Sequence, residues 1–119
     1  MNEDCRRPAG HAQTPTFDPE LLAELEILFG RPRLMELLGV LDREISARLD
    51  TPASEPSQLA RDAHVLVSSS GALAFRTLSD ACSALEQACV RGEEVAPSLN
   101  TVVIAARHAR DAIATLRAA

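Results

Sequence analysis

The chain has no tryptophan, no tyrosine and only three phenylalanines in 119 residues. Sheet cores draw on aromatic and β-branched side chains, so a hydrophobic fraction of 46% built mainly from Leu, Ala, Val and Ile points to packed helices. Lysine is missing altogether: all twelve basic residues are arginine, a compositional bias of the source. The net charge is −5 and no face collects a basic run, which excludes a generic nucleic-acid binder. No apolar run approaches the roughly 20 residues that span a bilayer. The start lacks the uninterrupted apolar segment of a signal peptide, so a cytoplasmic protein is expected. Three cysteines are no even set for disulfides. Cys82 and Cys89 lie seven apart on one helix face and read as small core residues. No third cysteine is near and no histidine pair has ligand spacing, so no metal is expected.

What is present fits one domain with one core. Residues 1–16 mix charges with Pro8, Gly10 and Pro15 and read as a flexible tail, in which His11 carries no argument. The domain then runs over 17–119. Asp18-Pro19 starts a short helix, with Asp18 as N-cap and Pro19 at the first position. Its Leu21, Leu22, Leu25 and Leu28 are available for docking, and it ends near Gly30. A second helix opens at Pro32 and runs to about Asp50, with Leu34, Leu37, Leu38, Leu41, Ile45 and Leu49 inward. Gly39 costs it ~1 kcal/mol against alanine unless close packing uses the space. Pro52 and Pro56 make the next stretch a loop. A third helix follows to about Leu73, with Ser57 as one possible cap. The fourth spans Phe75 to Arg91 and is stopped by Gly92. The fifth starts near Pro97, with Leu99, Val102, Val103, Ala106, Ile113 and Leu116 inward. Four long amphipathic segments on short loops predict an all-α fold, an antiparallel four-helix bundle capped by the short N-terminal helix.

The third helix stands out. Leu59, Ala63, Leu66, Ser70 and Leu73 form its core stripe, and at 100° per residue His64 lies about 140° from the stripe's centre. His64 is therefore displayed to solvent, with Ala60, Arg61, Ser68 and Gly71 as helical neighbours. Three of those are small or nearly so, which leaves room for a partner. Face and spacing alone also fit an ordinary surface histidine. Ser68, Ser69 and Ser70 have no acidic partner or strained elbow and read as helix packing rather than nucleophiles. Glu86, Glu93 and Glu94 read as a solvated face and a helix end, and His108 beside Arg107 and Arg110 as plain surface.

The string Ala63-His64, Leu66, Ser69-Ser70-Gly71, Leu73, Leu78, Cys82 and Leu85-Glu86 resembles the signature of histidine-containing phosphotransfer (HPt) domains of two-component phosphorelays. The resemblance extends from about Phe17 to Leu116 and is most specific from His64 to Glu86. It implies that His64 accepts a phosphoryl group from a receiver-domain phospho-aspartate and passes it to a second receiver. A neutral imidazole, ordinary for histidine at pH 7, attacks without a dedicated base. The implied partners are response-regulator receiver domains and a hybrid sensor kinase, in bacterial signal transduction. Mg²⁺ is expected on the partner receiver and no cofactor on this chain, which is a monomeric phosphoryl carrier and not an independent enzyme. Ala60, Arg61, Val67, Ser68 and Gly71 are the expected partner-binding residues.

Three positions depart from the family pattern. Val67 stands for a lysine, Ser68 for a glycine, and Ala74 for the glycine of a Leu-Gly pair. Ser68 and Ala74 are small and keep access open. Val67 removes a cation one turn from His64; Arg61, one turn the other way, partly substitutes, with Arg76 a more distant candidate. Two other readings stay open. One is an adaptor that binds receivers without accepting phosphate. The other is a helical dimerisation module whose small-residue face packs on a copy of itself.

Overall fold

The computed structural model describes residues 15–119. Five helices follow one another among them: α1 (Pro19–Phe29), α2 (Arg31–Leu49), α3 (Pro56–Ala72), α4 (Arg76–Val90) and α5 (Ala96–Ala118). Nearly all of the tail predicted over residues 1–16, with Cys5 and His11, lies outside the described residues. Pro15 lies inside them, and its carbonyl accepts from the Thr77 hydroxyl at 2.8 Å.

Local chemistry explains the element boundaries. The Asp18 side chain accepts from the backbone N–H groups of Glu20 and Leu21 at 3.0 and 3.2 Å, and Pro19 follows it. Gly30 takes φ +83° between α1 and α2, a conformation that costs glycine nothing. Ser57, one possible cap, does not serve as one. Pro56 already starts α3, holding Glu55 extended before it, and the Ser57 hydroxyl donates to the Glu55 carboxylate at 2.6 Å.

Helices α3 and α4 pack most closely, α4 packs on α5, α5 on α2, and α2 on α3. This closed ring of four is the bundle, and α1 docks chiefly on α2. The core is aliphatic, with Leu34, Leu38, Leu41, Ile45, Leu66, Leu78, Leu85, Val102 and Ile113 at 0–1% exposure around Phe75. Truncating any of these leucines to alanine costs about 2–5 kcal/mol. Leu37, Cys89, Leu99, Val103 and Leu116 are only half-buried at its rim. Leu28 does not dock: it is 73% exposed, because it lies about 120° round α1 from the buried Leu22, past the strip that faces α2. Gly39 is covered by the Arg117 guanidinium, whose carbon lies 3.0 Å from where an alanine Cβ would sit.

Charged pairs tie the helices together. Arg48 on α2 donates to Asp62 on α3 at 2.7 Å, and Asp62, only 10% exposed, also accepts from Gln58 at 3.0 Å. Arg110 on α5 bridges Asp42 and Asp50 of α2 at 2.9 and 3.2 Å. Arg48 also donates to Glu44 at 2.8 Å, and hydrogen bonds hold both guanidinium groups above their ordinary pKa, chiefly that to Glu44 at Arg48 and that to Asp42 at Arg110.

The turns closing α3 and α4 share one design. After α4, the Glu93 N–H bonds the Ala88 carbonyl and the Gly92 N–H the Cys89 carbonyl, with Gly92 at φ +69°. After α3, Phe75 N–H bonds the Ser70 carbonyl and Ala74 N–H the Gly71 carbonyl, with Ala74 at φ +77°. Both are Schellman closures, whose left-handed residue is usually glycine. Ala74 is 1% exposed and sits at the end of α3, ten residues from His64. Its smallness is thus a matter of turn conformation and packing, not of access to the histidine.

Candidate functional site

The site is built by α3 and α4 running antiparallel. Two small-residue contacts bring them close. The Ser79 hydroxyl of α4 donates to the Val67 carbonyl of α3 at 2.8 Å, and a Cβ on Gly71 would sit 3.2 Å from that hydroxyl oxygen. Gly71 is therefore half-buried against α4. Val67 is likewise half-buried, packed against the core cluster. Of the expected partner-binding residues, Arg61 and Ser68 are thus exposed, and Ala60, Val67 and Gly71 are half-buried.

His64 projects from this surface with its side chain 68% exposed. Its Nδ1 lies 3.0 Å from Glu86 Oε2 on α4, and the Glu86 side chain is 26% exposed. A carboxylate only accepts, so this contact puts a hydrogen on Nδ1, and in a neutral ring the lone pair is then on Nε2. Glu86 is thus not a merely solvated residue as the sequence suggested: it fixes the tautomer and orientation of His64. The signal for it was available. Folding α3 back through the turn at Leu73–Phe75 brings His64 level with the stretch of α4 that holds Glu86, the nearest carboxylate there.

Two hollows lie elsewhere. A groove of about 520 Å³ between α2 and α5 is lined by Asp42, Asp50, Arg107, Arg110 and Asp111. An apolar one of about 320 Å³ is lined by Leu25, Phe29, Leu37, Val40, Ser69 and Leu73. His64 lines neither. An imidazole 68% exposed and outside both hollows suits a macromolecular reactant and not a small substrate that needs enclosure.

The remaining candidates are not brought to the site. Arg76 opens α4 ten residues before Glu86, about 15 Å along the axis. Cys82 is fully buried, and burial pushes its thiol up to about 12, so it is inert as nucleophile or ligand at neutral pH. Burial also raises the Cys89 thiol. His108 is exposed on α5. No helix among the described residues is long and apolar enough to cross a membrane.

Comparison with known proteins adds one match: a family model described as Hpt domain aligns with residues 19–119. Searches of curated proteins and of solved structures returned no match.

Proposed function

The chain belongs to the Hpt domain family, and on that premise we propose that His64 Nε2 carries a phosphoryl group between receiver domains of a two-component phosphorelay. Hpt domains act in phosphorelays as carriers, without kinase activity of their own. The observation that supports His64 as the carrier is its geometry: an exposed ring whose Nδ1 is engaged by Glu86 and whose Nε2 has no hydrogen-bond partner among the described residues.

The step balances with no base on this chain. The Nε2 lone pair attacks the phosphorus of a receiver's aspartyl phosphate, the N–P bond forms, and the bond from phosphorus to the aspartyl carboxyl oxygen breaks. The aspartate leaves as carboxylate with the bonding pair. The Nδ1 proton stays in place, so the ring becomes cationic, and the Glu86 carboxylate stabilises that charge as it develops. Transfer to a second receiver runs the same step backwards. Mg²⁺ held by the receiver would offset charge on the phosphoryl oxygens. The donor receiver is that of a hybrid sensor kinase, and the bundle works as a monomer, because a dimer burying His64 would block docking.

Incubation with a cognate phosphorylated receiver is expected to place an acid-labile, alkali-stable label on the chain. Its retention in His64→Gln would overturn the assignment. Stable receiver binding with no label on the wild type would make the chain an adaptor instead.

A further inference from the structure

Resting on His64 as the acceptor, we propose that Arg61 is the cation that binds the phosphoryl oxygens once they are on Nε2, replacing the charge that Val67 does not provide. Arg61 and His64 are three apart on α3, so their Cβ atoms are about 5–6 Å apart on one surface. Helical side chains lean toward the helix N-terminus. The imidazole therefore overhangs the turn that carries Ala60 and Arg61, not the turn that carries Val67. Ala60 beneath it offers only a methyl group, leaving space for a guanidinium to reach across. Val67, three residues the other way, is turned into the helix contact.

Arg61 also keeps its charge unpaired among the described residues. Among the described residues its hydrogen bond goes to the neutral amide oxygen of Gln58, at 2.9 Å, and it forms no ion pair. That amide is oriented from behind. Gln58 Nε2 donates to Asp62 Oδ1 at 3.0 Å, and Asp62 is held by Arg48 at 2.7 Å. The Arg48–Asp62 pair thus fixes Gln58 so that its oxygen presents to Arg61. Arg61 is parked on an acceptor that takes its hydrogen bond without cancelling its charge. Release to a phosphoryl dianion exchanges a neutral acceptor for a charged one, which binds roughly twice as strongly.

Glu86 gives such a cation a task. It steadies the ring at Nδ1, but its carboxylate repels a dianion arriving at Nε2. The two ring nitrogens are then served by opposite charges from two helices: Glu86 from α4 at the protonated nitrogen, Arg61 from α3 at the phosphorylated one.

The test uses the full chain and phosphoramidate, a small donor that brings no cation side chains. The P–N bond of the donor breaks, ammonia leaves, and the Nε2–P bond forms. Uptake and loss of the label are followed by ³¹P NMR at low and high salt for wild type, Arg61→Gln and Arg61→Lys. Arg61 is exposed, and unchanged circular dichroism would establish that the variants fold. Arg61→Gln is expected to slow uptake about three- to tenfold and to flatten its salt dependence, and Arg61→Lys to restore most of both. Wild-type uptake and salt dependence in Arg61→Gln would overturn the proposal while leaving His64 as acceptor. Failure of the wild type to take label, or label surviving in His64→Gln, would overturn the reading of His64 and this proposal with it.

Discussion

Ala74 and Gly92 occupy the same position of two equivalent helix closures, so exchanging their residues in separate variants isolates what each side chain does. At Gly92 a Cβ would meet nothing within 4 Å, and only conformation matters. Alanine at φ +69° costs about 1–2 kcal/mol in the folded state, offset by ~0.4–1 kcal/mol from a stiffer unfolded chain. Gly92→Ala is therefore expected to destabilise by about 1 kcal/mol. At Ala74 the same two effects reverse sign, but a methyl group at 1% exposure is also lost, worth ~0.8 kcal/mol. The conformational gain and the packing loss nearly cancel, so Ala74→Gly should change stability by less than about 0.5 kcal/mol. Urea denaturation followed by far-ultraviolet circular dichroism measures both. For a domain of this size 1 kcal/mol also moves Tm by roughly 4–8 °C. Stabilisation by 2 kcal/mol in Ala74→Gly would refute the packing argument. A neutral Gly92→Ala would refute the conformational one.

Three further outcomes follow from other contacts. Glu86→Gln removes the charge beside Nδ1 but keeps an acceptor, and should slow phosphorylation of His64 by about three- to tenfold, with Glu86→Ala slower still; a rate unchanged in both would remove Glu86 from the step. Arg48→Met leaves Asp62 buried without its main partner and should cost about 3 kcal/mol in urea denaturation; the double variant with Asp62→Leu should recover most of it. Cys82 should resist iodoacetamide at pH 8 until the chain unfolds. Its thiol titrates near 9 when unfolded and near 12 when folded, so it contributes stability below pH 9 that is lost between pH 9 and 12. Cys82→Ala should flatten that alkaline decline, and an unaltered slope would show that Cys82 is not its source.

Local signals make much of the molecule legible in its sequence. Asp18-Pro19 specifies the start of α1 through side-chain and φ preferences that act within four residues. The stripe Leu59–Ala63–Leu66–Ser70 specifies which side of α3 is buried, and hence that His64 is outside. Features that depend on a second helix were harder to read. The role of Glu86 needs the α3–α4 register, and Arg48–Asp62–Gln58 needs the α2–α3 one. Periodicity gives the face of a helix but not its partner, which is why Leu28 reads as a docking residue yet lies in water. Ala74 was visible as an anomaly in the family pattern. Its reason, a left-handed backbone at a buried turn, is a property of the closed loop and not of the residue.

The approach to α1 has a consequence for how this bundle can be tethered. Asp18 N–H bonds the Ala74 carbonyl at 2.8 Å, Phe17 packs on Phe75 with ring centroids 5.5 Å apart, and Pro15 is held by Thr77. The chain is thereby pinned to the α3–α4 turn before the first helix begins. Ten residues of helix, about 15 Å, separate that anchor from His64. A receiver joined upstream of Pro15 would be leashed at one end of the reactive face, where linker length sets its local concentration, while the surface around the imidazole stays open to a freely diffusing competitor.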